Sequence, residues 1–194
     1  MATSVLELAR ARGVAFPLRT ERLTITPYAP DDAAVLFPYR DLDEVRTWMG
    51  RSYADVAELG AAFGASRETF VLRAGDVVVG DVKVVVEDAW AHPQVADRAR
   101  NTQAELGWTL DPAHQGRGYA TEAVRELMRL CFEDLGLRRI EAHCFADNEA
   151  SWRLMERVGM RREGLFRADS LHATRGWIDG MSYGLLADEW DGRA

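Results

Sequence analysis

Lysine is nearly missing from this 194-residue chain: it occurs once, at Lys83, and the remaining basic side chains are arginine. That bias reads as genome composition and carries no functional conclusion. The charge balance says more. With 24 basic against 31 acidic side chains, the net charge is −7 at pH 7. Neutralising nucleic-acid phosphates needs a basic surface, so no nucleic acid is expected as partner. Cysteine is scarce as well: Cys131 and Cys144 are the only two. One falls on the apolar face of a helix and one in a strand, which suits buried free thiols in a reducing compartment rather than a disulfide. No run approaches the ~20 consecutive apolar residues of a membrane span, and the first residues lack the apolar core of a signal sequence. The reading is a soluble cytoplasmic protein with no membrane partner. No internal repeat stands out. The Gly-Lys-Ser/Thr ending of a nucleotide-hydrolase phosphate loop is absent too, which excludes that chemistry.

What is present is enough apolar sequence, 47% of residues, for one sizeable core. The pattern gives a leader over residues 1–17, with a possible helical turn around Val5 to Arg12, and a single domain over 18–194. Leu23 to Thr26 alternates as a first strand. Helices are predicted over 31–39, 41–49 and 54–63, with Asp31 and Asp41 suited to N-terminal ends. Thr69 to Arg73 and Val77 to Val86 are β-rich runs that form a hairpin around Ala74-Gly75-Asp76. Glu87 through Gln103 is a polar connection carrying Trp90, His92 and Pro93. Strands follow at Glu105 to Leu110 and Arg139 to Phe145, and a helix at Asn148 to Val158 is stopped by Gly159. One helix separates those two strands, so they should lie parallel, in a sheet otherwise mostly antiparallel. The expected class is α/β, in the α+β sense.

Gln115-Gly116-Arg117-Gly118-Tyr119-Ala120-Thr121-Glu122 is the most specific stretch. A glycine turn passes there directly into a helix whose apolar positions Ala120, Ala123, Val124, Leu127, Leu130 and Cys131 recur at helical spacing. The first N–H groups of such a helix have no intrahelical partners and the macrodipole adds positive charge, so an anion can dock without a lysine. A dinucleotide-binding turn is an alternative, with Thr121 at the third small position and Glu141 at a plausible distance for a ribose contact. An ordinary strand-to-helix turn is another.

Gln115, Gly118 and Ala120 fill the Gln/Arg-x-x-Gly-x-Gly/Ala signature of the GNAT family of acyl-CoA-dependent N-acetyltransferases. Thr20-Glu21-Arg22-Leu23, Glu105-Leu106-Gly107-Trp108, Asn148-Glu149-Ala150-Ser151 and Gly159-Met160 follow the same pattern in order. The chain thus resembles the branch of ribosomal-protein-alanine N-acetyltransferases, RimJ/RimL-like, from about Leu18 to Trp190. The resemblance implies the GNAT fold, with the parallel strands splayed into a wedge for the pantetheine arm of acetyl-CoA. It implies that Trp108, Thr109 and Leu110 lie beside that arm and that the turn from Gln115 to Thr121 holds the pyrophosphate. By the same resemblance Asn148 is a pantetheine ligand and Ser151 a hydrogen-bond donor near the cofactor sulfur. Many relatives carry a tyrosine acid where this chain has Met155, which shifts the burden to Ser151. Arg153 could reach a phosphate, or pair with Glu149 one turn back.

Acetyl transfer to an amine needs a neutral amine, a stabilised oxyanion and a thiolate that can leave. Glu105, at the start of the strand entering the wedge, is the expected base, directly or through water; a solvated strand-end charge is the alternative. A backbone N–H near Leu110 is the expected oxyanion donor. His114 reads as a surface histidine and His143 as a paired core one. Trp48, Trp90 and Trp177 are expected near the acceptor. Asp179, in a loop from Thr174 to Gly180, is offered for a cationic amine, with Glu87 and Asp88 as alternatives. The expected activity is acetyl transfer to a primary amine, a peptide N-terminus or a small molecule, by direct attack in a ternary complex. No covalent acyl-enzyme and no metal are expected, and the family makes a homodimer reasonable. The alternative is a non-catalytic acyl-CoA-binding module of the same fold.

Overall fold

The architecture comes from a computed structural model that describes residues 3–192. Eight strands form one sheet: β1 (Leu18–Arg19), β2 (Thr24–Pro27), β3 (Thr69–Ala74), β4 (Val77–Glu87), β5 (Gln103–Leu110), β6 (Arg139–Phe145), β7 (Arg161–His172) and β8 (Gly176–Leu186). Their spatial order is β1-β2-β3-β4-β5-β6-β8-β7. Only β5 and β6 run parallel; the other neighbours are antiparallel. An open, doubly wound parallel sheet is what a dinucleotide fold requires, and its absence disposes of that alternative.

The sheet buries its two faces differently. Ala104 and Leu106 of β5, Val82 and Val84 of β4 and Ile140 and Ala142 of β6 pack against the apolar stripe of α5 (Tyr119–Arg129), chiefly Ala123, Val124, Leu127 and Met128. On the opposite face Val71 meets Leu36, Leu59 and Phe63, from α2 (Ala33–Arg40) and α4 (Val56–Ser66). Both sets follow from the two-residue alternation of a strand meeting the 3.6-residue repeat of a helix. The segment read as a leader is part of this core. Ser4 caps a short helix, α1 (Val5–Ala11), whose Val5 and Ala9 are fully buried one turn apart.

Two more expectations shift. The helix predicted over 41–49 contracts to α3 (Asp43–Arg46), and Asp41 lies at the C-terminal end of α2 rather than opening a helix. The supposed loop from Thr174 to Gly180 is mostly strand, because β8 begins at Gly176 and pairs with β7. Apolar alternation is weak there, since both strands reach past the core into solvent.

The wedge appears in the register. β5 and β6 pair at Gln103↔Arg139, Ala104↔Ile140 and Glu105↔Glu141, and then no further, although β5 continues to Leu110 and β6 to Phe145. From Leu106 to Leu110, β5 is paired to β4 alone.

Candidate active site

A cleft of about 1750 Å³ opens where β5 and β6 separate. Glu105 stands at the last paired position, and Trp108, Thr109 and Leu110 line the cleft beyond it. The glycine turn closes one end. Gly116 and Gly118 both have positive φ, 74° and 82°, in the left-handed region that glycine occupies without strain. Gly118 is the N-cap of α5 and provides no side-chain cap, so the first amides of the helix stay available to an anion. Gln115, Gly116, Gly118, Ala120 and Thr121 line the cleft. The side chains of Arg117 and Tyr119 do not. Arg117 turns its guanidinium to the Ala113 carbonyl at 3.4 Å, and the Tyr119 ring lies under the Arg22 guanidinium at 5.0 Å.

Thr20 and Arg22 hold this turn from a distance in sequence. The Glu122 carboxylate, in the first turn of α5, accepts hydrogen bonds from Thr20 Oγ1, from the Arg22 backbone N–H at 2.8 Å and from Arg22 Nε at 2.7 Å. Arg22 Nη1 donates to the Arg117 carbonyl at 2.8 Å. Burial works to raise the Glu122 pKa, but these donors outweigh it and hold the carboxyl below its usual range. The role of Glu122 was not foreseen: a charge on the solvent side of α5 becomes the anchor once β1 and β2 are placed beside it.

The residues expected to carry the chemistry lie where the sheet opens. Glu105 is a third exposed, with the Lys83 ammonium 3.6 Å away. Glu68 approaches the same patch. Burial pushes its carboxyl pKa up, Lys83 opposes that, and the charges of Glu105 and Glu87 add to the rise. His143 is not a core residue: it is half exposed, lines the cleft, and stands 3.7 Å from Glu141. His114 sits in the turn before the glycines and does not line the cleft.

On the other wall, α6 (Glu149–Arg157) begins at Asn148, whose Oδ1 accepts from the Ser151 N–H at 3.2 Å. Asn148 is therefore a helix cap, and it lines the cleft with Ser151. The Ser151 hydroxyl, near the Cys144 thiol, acts to lower that thiol's pKa. Burial raises that thiol to about 11 despite Ser151, and raises the fully buried Cys131 to about 12. Both cysteines are free. Neither presents a useful thiolate near neutral pH. Met155 is buried in the core, so no acid stands in its place. Arg153 pairs with Glu149 at 2.9 Å.

The acceptor side gathers residues that sequence reasoning largely missed. Arg40 Nε donates to Asp81 at 2.9 Å and Arg40 Nη2 to Thr109 Oγ1 at 3.1 Å, while Tyr39 donates its hydroxyl to Asp81. The Arg40 guanidinium also lies over the Phe63 ring at 4.8 Å. This buried network fixes Thr109 on the wedge strand from behind; an arginine at the end of a helix and an aspartate in a strand gave no signal of the pairing. Of the three tryptophans expected here, only Trp48 lines the cleft. Trp90 is 90% exposed and Trp177 64% exposed, each outside it. Asp179 accepts from the Ala168 N–H at 2.8 Å and Asp88 from the Asn101 N–H at 2.8 Å, so both serve backbone geometry. Glu87 lies outside the lining of the cleft. Among the described residues no group of three His, Cys, Asp or Glu is gathered for a metal, and no helix is long and apolar enough to cross a membrane.

Comparison with known proteins agrees with this geometry. The family described as acetyltransferase (GNAT) domain matches residues 22–161. The N-acetyltransferase p20 of Bacillus licheniformis, itself uncharacterized, is 31% identical over 186 residues, covering 90% of this chain and 98% of its own. The putative ribosomal N-acetyltransferase YdaF of Bacillus subtilis is 36% identical over 92 residues, 47% of this chain and 50% of that one, so the match spans only half its length. Among solved structures, Mycobacterium smegmatis RimJ in complex with CoA-disulfide superposes with a TM-score of 0.73 at 23% identity, covering 87% of this chain and 84% of that one. The wedge, the glycine turn and these matches together place the chain in the GNAT family of N-acetyltransferases, as an acyltransferase enzyme.

Proposed function

We propose that the protein transfers the acetyl group of acetyl-CoA to a primary amine, by direct attack within a ternary complex in the cytoplasm. The observation that carries this reading is the end of β5–β6 pairing at Glu105↔Glu141, opening a cleft that leads to two left-handed glycines and a bare helix N-terminus. A pantetheine arm fits the first feature and a pyrophosphate the second. A Cβ on Gly118 would lie 3.2 Å from Arg22 Nη2, and its φ of 82° is one that residues with a Cβ rarely adopt, so the turn suits glycine. Bound there, acetyl-CoA would supply an activated acyl group with a thiolate as leaving group.

The chain's own groups divide the work. Gly116, Gly118 and the amides of Tyr119, Ala120 and Thr121 hold the phosphates. The backbone of Trp108, Thr109 and Leu110, unpaired on the β6 side, offers hydrogen bonds to the pantetheine amides, and a free N–H near Leu110 serves the oxyanion. Asn148, already spending its Oδ1 on the helix cap, has its amide NH₂ for the same arm. Glu105 takes the proton from the acceptor ammonium, directly or through water. A C–N bond forms, the C–S bond breaks, and Ser151 Oγ donates to the departing sulfur, which as a thiol titrates near ~8.5 and needs only modest stabilisation. The acceptor is a peptide N-terminus or a small-molecule amine. An α-amino group, with pKa ~7.7–8.0, asks less of the base than a lysine.

Isothermal titration with acetyl-CoA and, in parallel, NADH tests the cofactor, followed by thiol release on a panel of amines. Micromolar binding of acetyl-CoA alone, with amine-dependent thiol release, is the expected result. A folded sample that ignores acetyl-CoA would overturn the assignment of Gln115 to Thr121.

A further inference from the structure

Between α3 and α4 the chain from Thr47 to Asp55 forms no helix or strand, so the place of Trp48 on the cleft wall is set by tertiary contacts. One comes from the wedge strand, where Thr109 Oγ1 donates to Met49 Sδ at 3.6 Å. The others come from the β7–β8 hairpin. His172, the last residue of β7, is 5% exposed and stands 125 positions from Thr47. Its Nδ1 accepts from the Thr174 N–H at 3.2 Å, which leaves the ring proton on Nε2, 2.8 Å from the Thr47 carbonyl oxygen. That carbonyl lies at the C-terminal end of α3, where no intrahelical donor follows. The imidazole also meets the rings of Trp48 and Phe145 edge-on, with centroids 6.5 and 5.4 Å apart. Arg175, three residues on, lies over the Trp48 ring at 5.0 Å and donates to Asp147 at 3.2 Å. With that guanidinium already on it, Trp48 offers the cleft a fixed apolar surface rather than a cation site.

Both nitrogens of His172 are spent on backbone groups, one within its own hairpin and one on the segment that carries Trp48. An apolar ring of similar size would fill the same space but leave the Thr47 carbonyl and the Thr174 N–H unpaired. The imidazole therefore works as a spacer of fixed length between the two segments. We propose that His172, which does not itself line the cleft, is a positioning residue for the acceptor: through Nε2 it fixes Thr47, and with it Trp48, as the wall against which the acceptor docks on its way to Glu105. The inference rests on the transferase reading and adds to it a residue that the acceptor site needs.

Two half-replacements separate the bonds. A glutamine carboxamide reaches as far as Nε2 and keeps the donor to Thr47, whereas an asparagine carboxamide reaches as far as Nδ1 and keeps the acceptor for Thr174. With n-butylamine and an alanyl tripeptide as acceptors, His172→Asn should raise the acceptor KM by about tenfold, the scale of one hydrogen bond, with kcat and the acetyl-CoA Kd within about twofold of the parent. His172→Gln should bring KM back to within about threefold of the parent. Equal changes of KM in the two variants, or an acetyl-CoA Kd that moves with KM, would overturn the proposal. The Trp48 indole N–H resonance of isotope-labelled protein, assigned by its loss in Trp48→Phe, should shift in His172→Asn and hold its place in His172→Gln; a resonance unmoved in both sinks the positioning role. If His172→Asn does not fold, Trp48→Ala carries the kinetic test with both ring bonds left in place, and an unchanged KM there removes the wall. Failure to bind acetyl-CoA, or to acetylate either amine, counts against the transferase reading, while the Trp48 resonance still decides the role of His172.

Discussion

The two ends of the cleft are built in opposite ways. The cofactor end is a run of eight adjacent residues, Gln115 to Glu122, steadied by one clamp from Thr20 and Arg22. The opposite end collects Arg40, Trp48, Asp81 and His143 from four separate segments. One end offers a ligand backbone groups, the other side chains. Backbone geometry at a glycine turn depends on neighbours in sequence and tolerates change elsewhere, whereas a site made of distant side chains depends on the register of every strand between them. The acceptor end should therefore be the more fragile under single substitutions, and the cofactor end the more uniform among relatives of different substrate.

The buried pair tests the fragile end most severely. Arg40 and Asp81 are 9% and 1% exposed. Asp81→Ala leaves a guanidinium without its counter-charge, along with a stranded Tyr39 hydroxyl, and should cost about 3–5 kcal/mol of stability by denaturant unfolding. Replacing both partners, as Arg40→Met with Asp81→Leu, should recover most of that loss, because the desolvation of two charges is removed together. If the double variant were no better than the single one, the pair would not be acting as a unit.

That network also marks the limit of what the sequence conveys. The strands at β5 and β6, the helix α5 with its glycine start, and the cap at Asn148 were readable because each is decided by residues within a few positions: alternation, helical spacing, φ > 0 at glycine, an asparagine at a helix start. Arg40–Asp81 and Thr20–Arg22–Glu122 were not, since the side chains stand 41 and about 100 positions apart. The bulge in β7, where the register with β8 skips between Phe166 and Ser170, was hidden for another reason. It puts Ala168, rather than glycine, at positive φ, and it turned the expected role of Asp179 into that of a backbone acceptor.

Glu105→Gln probes the point where the two ends meet. Loss of a positioned base should lower kcat by about 10²-fold, near the low end for general base catalysis, with acetyl-CoA affinity kept within a few-fold. A comparable loss of cofactor affinity would make Glu105 a structural partner of Lys83 instead. Gly118→Val acts on the cofactor end alone. Forcing a β-branched residue to φ 82° costs about 1–3 kcal/mol, which should appear as an acetyl-CoA Kd raised by about tenfold or more.

The smallest effect belongs to the clamp, and its sign is fixed by the Glu122 carboxyl. Its folded pKa is depressed, the donors from Thr20 and Arg22 outweighing burial. Stabilisation from that carboxylate is therefore present above the unfolded value of ~4.3 and is lost as pH falls through the lower folded value. Arg22 is 45% exposed, so solvent screens much of the attraction and the clamp should contribute only about 1 kcal/mol. Glu122→Gln keeps an acceptor for Thr20 but loses the charge. Its melting temperature should fall short of the parent's by a few degrees at neutral pH, and the gap should close as pH falls through the lowered folded value, once the parent is protonated as well. A gap independent of pH would assign the clamp to packing rather than charge, and the cofactor end would then owe its rigidity to the glycine turn and helix alone.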